Sequence, residues 1–320
     1  MNDLITVMIP AYNAQKYIGR CIESLLKQTY QEIEVLIVND GSKDNTRSIC
    51  EEYAGKDARI RLINQSNGGE GAARNRGLVE ARGAYLCFVD ADDYVKDDFV
   101  ASLYSLMRDN RADMSICGYT ELKGTEILNE TTGSKQVFDR AESMEMLLRE
   151  DSFRGYVWNK MFRMDIIREQ QLHFDESLAV WTDVLFVFQY MRDIDRLVYD
   201  PTPKYYYIYV ENSASHAHNH VLGVEKSYSA IRAKNCMIDD IPVEYTNVRR
   251  QLSIRYVQSA LAVIRNIGYT GQDYDYLDKC LEVIRTYQKE AYPCLKRRER
   301  ILVRLCKFSP KLLLALYKVR

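Results

Sequence analysis

Residues 84–93 read AYLCFVDADD, six mostly apolar residues that run straight into Asp90-Ala91-Asp92-Asp93. A short apolar run bounded by turn-forming residues predicts a buried strand. Three carboxylates within four residues then follow it directly, and they repel one another unless a cation sits among them. Hard oxygen donors of this kind suit Mg2+ or Mn2+, ions that keep some water and take further ligands from substrate phosphates. The same residues would also serve as the acidic cap and first turn of a following helix. A triplet of the form Asp-x-Asp is common by chance; its place at a strand end is not.

Outward from this stretch the same pattern repeats. LITVMI (4–9) is closed by Pro10, EVLIV (34–38) ends on Asn39-Asp40-Gly41-Ser42, and RIRLI (59–63) precedes a glycine-rich segment. Between them Tyr17, Ile18, Cys21, Ile22, Leu25 and Leu26 recur at helical spacing and predict a helix over 14–28. A second helix carries Ile49, Cys50 and Tyr53 on one face, and a third begins near Glu70. Strands alternating with helices predict an α/β fold: a Rossmann-like, mostly parallel sheet with helices on both faces. Ligands of such sheets lie beyond the carboxyl ends of the strands.

Two further constellations fall at those ends. Pro10-Ala11-Tyr12-Asn13 closes the first strand, beside Asn39-Asp40-Gly41-Ser42. A carboxylate and backbone groups there can bond a nucleobase edge, although these residues are also ordinary turn formers. Asn67-Gly68-Gly69-Glu70-Gly71-Ala72-Ala73-Arg74-Asn75-Arg76-Gly77 opens the third helix, where small residues admit a ligand and a helix start favours anions. Arg74 and Arg76 suit a diphosphate; equally, the alanines suit tight packing on the sheet.

Beyond residue 120 the pattern changes. Residues 121–136 are polar and predict a loop or hairpin, 139–150 a helix, and 183–192 a buried helix. Pro201 and Pro203 introduce an aromatic strand from Tyr205 to Val210, and 224–290 is helical by periodicity, with Leu252, Ile254, Val257, Leu261 and Ile264 facing inward.

Composition narrows the class. A hydrophobic fraction of 47% with 28% charged residues, and only 6 Pro and 15 Gly, excludes a disordered chain. No apolar run approaches the ~20 residues that span a bilayer, and MNDLITVMIPAYN lacks the basic start of a signal peptide. Eight scattered cysteines without CxxC pairs point to reduced thiols and a cytoplasmic setting. The net charge of −1 hides an asymmetry: residues 291–320 hold nine basic residues against Glu299, hence +8, which leaves −9 on the rest. In this tail Ile301, Leu302, Leu305, Phe308, Leu312, Leu313 and Leu316 form an apolar stripe broken at Pro310. A basic amphipathic segment of this kind predicts a peripheral contact with the inner face of an anionic membrane. The competing expectation is a helix docked on the body or on a second subunit of a homo-oligomer. Nucleic acid is a poorer partner, because aromatic residues are not interleaved for stacking and the body is acidic.

Taken in order and spacing, IPAYN, QTYQEIEVLIVNDGSKDNT and NGGEGAARNRGLVEARGAYLCFVDADD strongly resemble the family-two glycosyltransferases of GT-A fold. The resemblance is dense over about 4–120 and looser through WNKMFRMDIIREQQLHFDESL (158–178) and PTPKYYYIYVENSAS (201–215). It implies a catalytic domain over 1–220 and a helical region over 221–320. It further implies that Pro10, Ala11, Tyr12, Asn13 and Gly41 line a nucleotide pocket, that Asp40 pairs with the base, usually uracil, and that Arg74 lies close to nucleotide or phosphate. Asp90, with Ala91, would meet the ribose, and Asp92, with Asp93, would hold Mn2+ or Mg2+. The family's Glu-Asp pair, source of the catalytic base, corresponds to Thr182-Asp183, so Asp183 is the expected base of an inverting transfer. The substrates implied are a UDP-sugar donor and a glycan or lipid-linked acceptor, in surface polysaccharide or cell-wall synthesis. Two departures stand out. Thr182 replaces the usual Glu, and Ile208, Tyr209 and Val210 stand where relatives carry arginines. His216, with His218 and His220, lies just beyond as a possible metal ligand. These departures leave room for a weak or inactive nucleotide-sugar-binding partner. A nucleotidyltransferase is disfavoured, since IPAYNAQKY lacks a Gly-rich, Lys-bearing loop.

Overall fold

The structure, a computed structural model, describes residues 3–210 and 223–318. The chain divides into two compact units: Met1–Ser143, Gly155–Glu176 and Gln189–Glu211 form the first, and Met144–Arg154, Ser177–Phe188 and Asn212–Arg320 the second.

The first unit is built on a sheet of β1 (Ile5–Ala11), β2 (Ile33–Asp40), β3 (Ile60–Gln65), β4 (Tyr85–Phe88), β5 (Tyr94–Val95), β6 (Met114–Lys123), β7 (Glu126–Glu130), β8 (Gln136–Phe138), β9 (Lys160–Arg163) and β10 (Leu197–Ile208). The order is β3-β2-β1-β4-β9-β6-β10-β5, with β7 on β6 and β8 on β10. The first four are mutually parallel, as expected for crossovers through α1 (Ile18–Leu26), α2 (Thr46–Lys56) and α3 (Glu70–Glu80). The other half is mixed: β9, flanked in the chain by α5 (Arg140–Leu148) and α6 (Met164–Glu169), runs antiparallel to both β4 and β6, while β10 is parallel to β6.

Strand alternation sorts the core into two faces. Ile5, Val7 and Ile9 of β1, with Val35 and Ile37 of β2, point to one side, against Cys21, Ile22 and Leu25 of α1 and Phe99 and Leu103 of α4 (Phe99–Asn110). Met8 points to the other, against α3. A Cβ on Gly77 would come within 2.6 Å of the Met8 Cε, so only glycine lets this helix lie so close.

Two elements differ from expectation for local reasons. α1 starts at Ile18 rather than residue 14, because Ala14 and Gln15 donate their amides to Thr46 Oγ1 (2.7 Å) and Asp44 Oδ2 (3.1 Å) instead of entering the helix. The polar stretch after residue 120 takes the hairpin form that its sequence allows, β6 against β7. β10 begins at Leu197, ahead of its prolines; register shifts at Asp200/Pro203 and Pro203/Tyr205 admit them.

The second unit contains α8 (Val224–Ile238), α9 (Thr246–Thr270), α10 (Asp275–Ala291), α11 (Arg297–Phe308) and α12 (Pro310–Lys318), each packed on the long α9. Leu252, Val257, Leu261 and Ile264 are buried along α9, as their spacing predicts, and Ile254 is half-buried. Gly271, at φ 64°, ends the helix in the left-handed conformation. In place of one boundary near residue 220, this unit also takes in 144–154 and 177–188. Specific bonds draw them there: Val180 N donates to Ser229 Oγ (3.2 Å), and Lys296 Nζ pairs with Glu150 (2.6 Å). Among the described residues no helix is long and apolar enough to cross a membrane.

Candidate active site at the carboxyl ends of the strands

β2 stays buried to its last residue, Asp40, which is 2% exposed. The chain then turns at Gly41 (φ +67°), where a Cβ would lie 2.7 Å from the Asn67 amide nitrogen. This close approach brings the glycine loop over the carboxylate. Asp40 Oδ1 accepts from Gln65 Nε2 (2.8 Å) and Gly68 N (2.9 Å), and Oδ2 from Gly69 N (2.8 Å). A carboxylate has roughly four lone-pair sites, so the three bonds leave one acceptor edge. Register pairs Ala11 with Asn39 and sets the first strand's end beside this turn. There Asn13, at φ 49°, accepts from Lys43 N (2.8 Å) and donates its own amide to Ser42 Oγ (3.1 Å). Ala11 is buried, Pro10 half-buried and the Tyr12 ring 48% exposed.

Gly69 leads directly into α3, and the first turns of that helix reach the acidic motif. Arg74 is buried, with Nη2 at 2.5 Å from Glu70 Oε1 and 3.3 Å from Asp90 Oδ1. Its guanidinium also lies 5.4 Å from the Phe174 ring centroid. Arg74 is therefore a tether that holds Asp90 against α3. One helix start thus gathers both strand ends: its leading amides hold Asp40 and its arginine holds Asp90.

Asp92 and Asp93 part company. Asp92 is partly exposed, and its carbonyl accepts from Arg20 Nη2 (2.9 Å). Asp93, expected beside it as a metal ligand, is 1% exposed and points inward. Its Oδ2 accepts from the Tyr205 hydroxyl (2.7 Å) and its Oδ1 from Ile208 N (2.7 Å). Burial, reinforced by the charges of Asp92 and Asp90, pushes its carboxyl well above the usual range. The same Tyr205 oxygen accepts from Asp90 N (3.1 Å), so one phenol fixes both sides of the turn. Trp158 stacks on that ring at 4.4 Å. Asp93 is thus a strut, and Ala91, also buried, packs beneath the turn.

Among the described residues no three His, Cys, Asp or Glu side chains gather closely enough to enclose a metal ion. A half-exposed hard-oxygen donor such as Asp92 still fits Mg2+ or Mn2+, since these ions draw much of their coordination from water and substrate phosphate. His216, with His218 and His220, lies outside the described residues.

Asp183 belongs to the second unit, at the second position of α7 (Thr182–Met191), where its charge also suits the helix start. Trp181, at φ 70°, precedes it in a conformation unusual for an aromatic residue. Thr182 donates its hydroxyl to Leu178 O (3.3 Å).

Arg20, Trp158 and Tyr205 were not singled out from sequence. For Tyr205 the signal was period two: Tyr205 and Tyr207 alternate along β10, and both stack with Trp158.

A half-parallel sheet with its polar groups gathered at the carboxyl ends of the leading strands defines a GT-A glycosyltransferase fold. Solved structures agree. S. aureus TarS residues 1–349 superpose with a TM-score of 0.72 at 18% identity, over 99% of this chain and 90% of that one. The mannosyltransferase PcManGT of Pyrobaculum calidifontis, in complex with GDP-Man and Mn2+, gives a TM-score of 0.58 at 15% identity, over 100% and 88%. The chain belongs to the family described as Glycosyl transferase family 2, whose profile matches residues 6–169. It is 36% identical to the uncharacterized glycosyltransferase EpsJ of Bacillus subtilis, over 67% of this chain and 63% of EpsJ. It is 31% identical to the uncharacterized glycosyltransferase YibD of Escherichia coli, over 71% and 68%. The match to the putative glycosyltransferase EpsH of Bacillus subtilis covers 60% of that relative's length.

Proposed function

We propose that this chain moves a sugar from a UDP-sugar to a hydroxyl of a glycan or lipid-linked acceptor, with inversion, in surface polysaccharide or teichoic acid assembly. The observation that carries this reading is the convergence of Asp40, Asp90 and the Asp92 turn around the start of α3. In the reading, the remaining acceptor edge of Asp40 takes the uracil imide N–H, with Pro10, Ala11, Tyr12, Asn13 and Gly41 as walls. Asp90, steadied by Arg74, accepts a ribose hydroxyl. Asp92 would hold a Mg2+ or Mn2+ ion, which would neutralise charge on the diphosphate when bound. Asp183 takes the proton of the acceptor hydroxyl as its oxygen bonds to the anomeric carbon. The bond from that carbon to the diphosphate breaks, and UDP leaves with the electron pair. Likenesses to TarS in complex with UDP-GlcNAc, over the fold, and to a teichoic acid poly(glycerol phosphate) polymerase of Staphylococcus epidermidis, 32% identical over 62% of this chain and 27% of that one, support the donor and the setting.

The place of work is an anionic membrane surface. Phe308 is 81% exposed, and Ile301, Leu312 and Leu316 also face solvent among Arg297, Arg300, Arg304 and Lys311.

A panel of UDP-sugars with Mn2+ and candidate acceptors tests the transfer. The expected result is acceptor-dependent UDP release from one donor, abolished in Asp183→Asn while UDP still binds. Folded protein that releases no UDP from any donor sinks the reading. UDP binding with activity indifferent to Asp183→Asn would instead favour the noncatalytic partner that Thr182 suggests.

A further inference from the structure

The second unit holds a cavity of about 410 Å³ that the reading above leaves unused. Its walls come from α9 (Arg255, Arg265), α11 (Arg298), α12 (Tyr317) and the segment bearing Glu150 and Trp181. The volume is that of a small-ligand pocket, and charge decides which ligand it suits.

The carboxylates in the wall already have partners. Glu150 accepts from Lys296 Nζ (2.6 Å), Gln258 Nε2 (3.1 Å) and Arg255 Nη1 (3.3 Å). Glu299 caps its own helix through Lys296 N (2.8 Å) and accepts from Gln258 Nε2 (3.0 Å). Arg265 and Arg298 are different: among the described residues neither has a carboxylate within ion-pair distance. Both act on the same neighbour. Burial raises the Tyr317 hydroxyl, and the fields of Arg298 and Arg265 oppose that rise. The cavity thus carries two guanidiniums with no carboxylate in direct contact, in a wall of three arginines against two glutamates, close to one phenol.

The aromatic side of the wall is held in place. Trp181 is kept in its left-handed backbone conformation, and Lys234, wholly buried, sets its Nζ 3.2 Å from the indole centroid. Lys234 Nζ is anchored in turn on Ala230 O (2.7 Å). Tyr317 packs against Gly268 of α9, where a Cβ would lie 2.6 Å from the Tyr317 Cβ. A rigid indole and phenol beside two guanidinium forks provide faces for a ring or carbon chain and donors for phosphate oxygens.

We propose that this cavity binds a phosphate ester carried on a sugar or polyol, as a unit of the acceptor chain. The assignment to an acceptor rests on the transferase reading; the binding itself does not. An apolar ligand would cover the two guanidiniums and offer them no acceptor, a loss that phosphate oxygens avoid.

The test is titration calorimetry on the full chain with a tri(glycerol phosphate) oligomer, glucose 1-phosphate, inorganic phosphate and phosphatidylglycerol vesicles, each against wild type and Arg265→Ser/Arg298→Ser. Both arginines are exposed, so the variant keeps its melting temperature. The expected result is that the oligomer or the sugar phosphate binds, and that the variant weakens it at least about tenfold, as loss of charge-assisted bonds requires. Trp181→Phe weakens it less. UDP binding is read on the same samples and stays unchanged, so failure of the donor reading would show separately. Phosphate binding as tight as the esters, or wild type and variant binding alike, overturns the proposal. Arginine-dependent binding confined to vesicles overturns the acceptor assignment and gives the phosphate to a lipid headgroup.

Discussion

Tyr205 carries a hydroxyl that accepts from one side of the acidic turn and donates to the other. Its ring is buried between Trp158 and Phe99, so Tyr205→Phe preserves packing and removes only the two bonds. The loss leaves Asp93 short of a donor in a buried site, a cost of about 1–3 kcal/mol. The expected outcome is a lower melting temperature together with a fall in turnover, because the Asp92 turn is no longer held from below. Unchanged turnover in a destabilised variant would show that the strut serves the fold alone. Asp92→Asn should do the reverse: melting unchanged, and transfer reduced roughly 10²-fold with a higher Mn2+ requirement, if its carboxylate meets the ion. Asp40, Asp90 and Asp92 were legible as a group because Asp40 ends the buried run of β2 and the two others follow that of β4. The division of labour between Asp92 and Asp93 was not. It depends on a phenol 112 residues away, and no local pattern states that pairing.

At the scale of the element, β1 and β2 are locked by a buried charge as well as by register. Glu34 is 5% exposed; it accepts from Thr6 Oγ1 (2.6 Å), Arg82 N (2.6 Å) and Arg61 Nη1 (2.8 Å). Burial alone would raise its carboxyl, but the bonds from Thr6, Arg61 and Arg82 outweigh it and hold the value below the ordinary 4.5. A folded value below the unfolded one means that the stabilisation is complete above about pH 4.5 and is lost as pH falls through the lower, folded value. Glu34→Gln should therefore cost about 1–3 kcal/mol at pH 7, since it removes the charge that Arg61 Nη1 meets while Arg61 Nη2 keeps Glu80 at 3.3 Å. The gap to wild type should narrow as pH falls from 7 through about 4.5 and lower. Urea melts at the two ends of that range check both signs, and a gap independent of pH would refute the assignment. Periodicity found α1 and the α9 stripe because packing on one face imposes it. It missed the first half of β10, where prolines argue against a strand and only the bulges that accommodate them restore one.

The whole chain separates its charge, with +8 on the last thirty residues and −9 on the rest. That contrast was visible in composition, as was the amphipathic character of the tail. Which side of the tail docks was not, because it depends on the shape of α9. Val303, Cys306, Leu313 and Leu314 turn inward and are buried, while Ile301, Phe308, Leu312 and Leu316 remain outside. Both sequence-level expectations for the tail therefore have a face available to them. The consequence is separable by substitution. Phe308→Ser/Leu312→Ser touches only exposed side chains, so stability should change by no more than about 0.5 kcal/mol. Burying those two side chains in the headgroup layer is worth roughly 1.5–3 kcal/mol each, and each nearby Lys or Arg adds about 1 kcal/mol on anionic lipid. Flotation with phosphatidylglycerol vesicles should accordingly fall steeply in the variant at physiological salt. Wild-type flotation should weaken as salt shortens the reach of the basic residues, and the variant should be indistinguishable from wild type on neutral vesicles if charge brings the tail to the surface first. A variant that floats as well as wild type on anionic vesicles would assign the outward apolar face to something other than lipid.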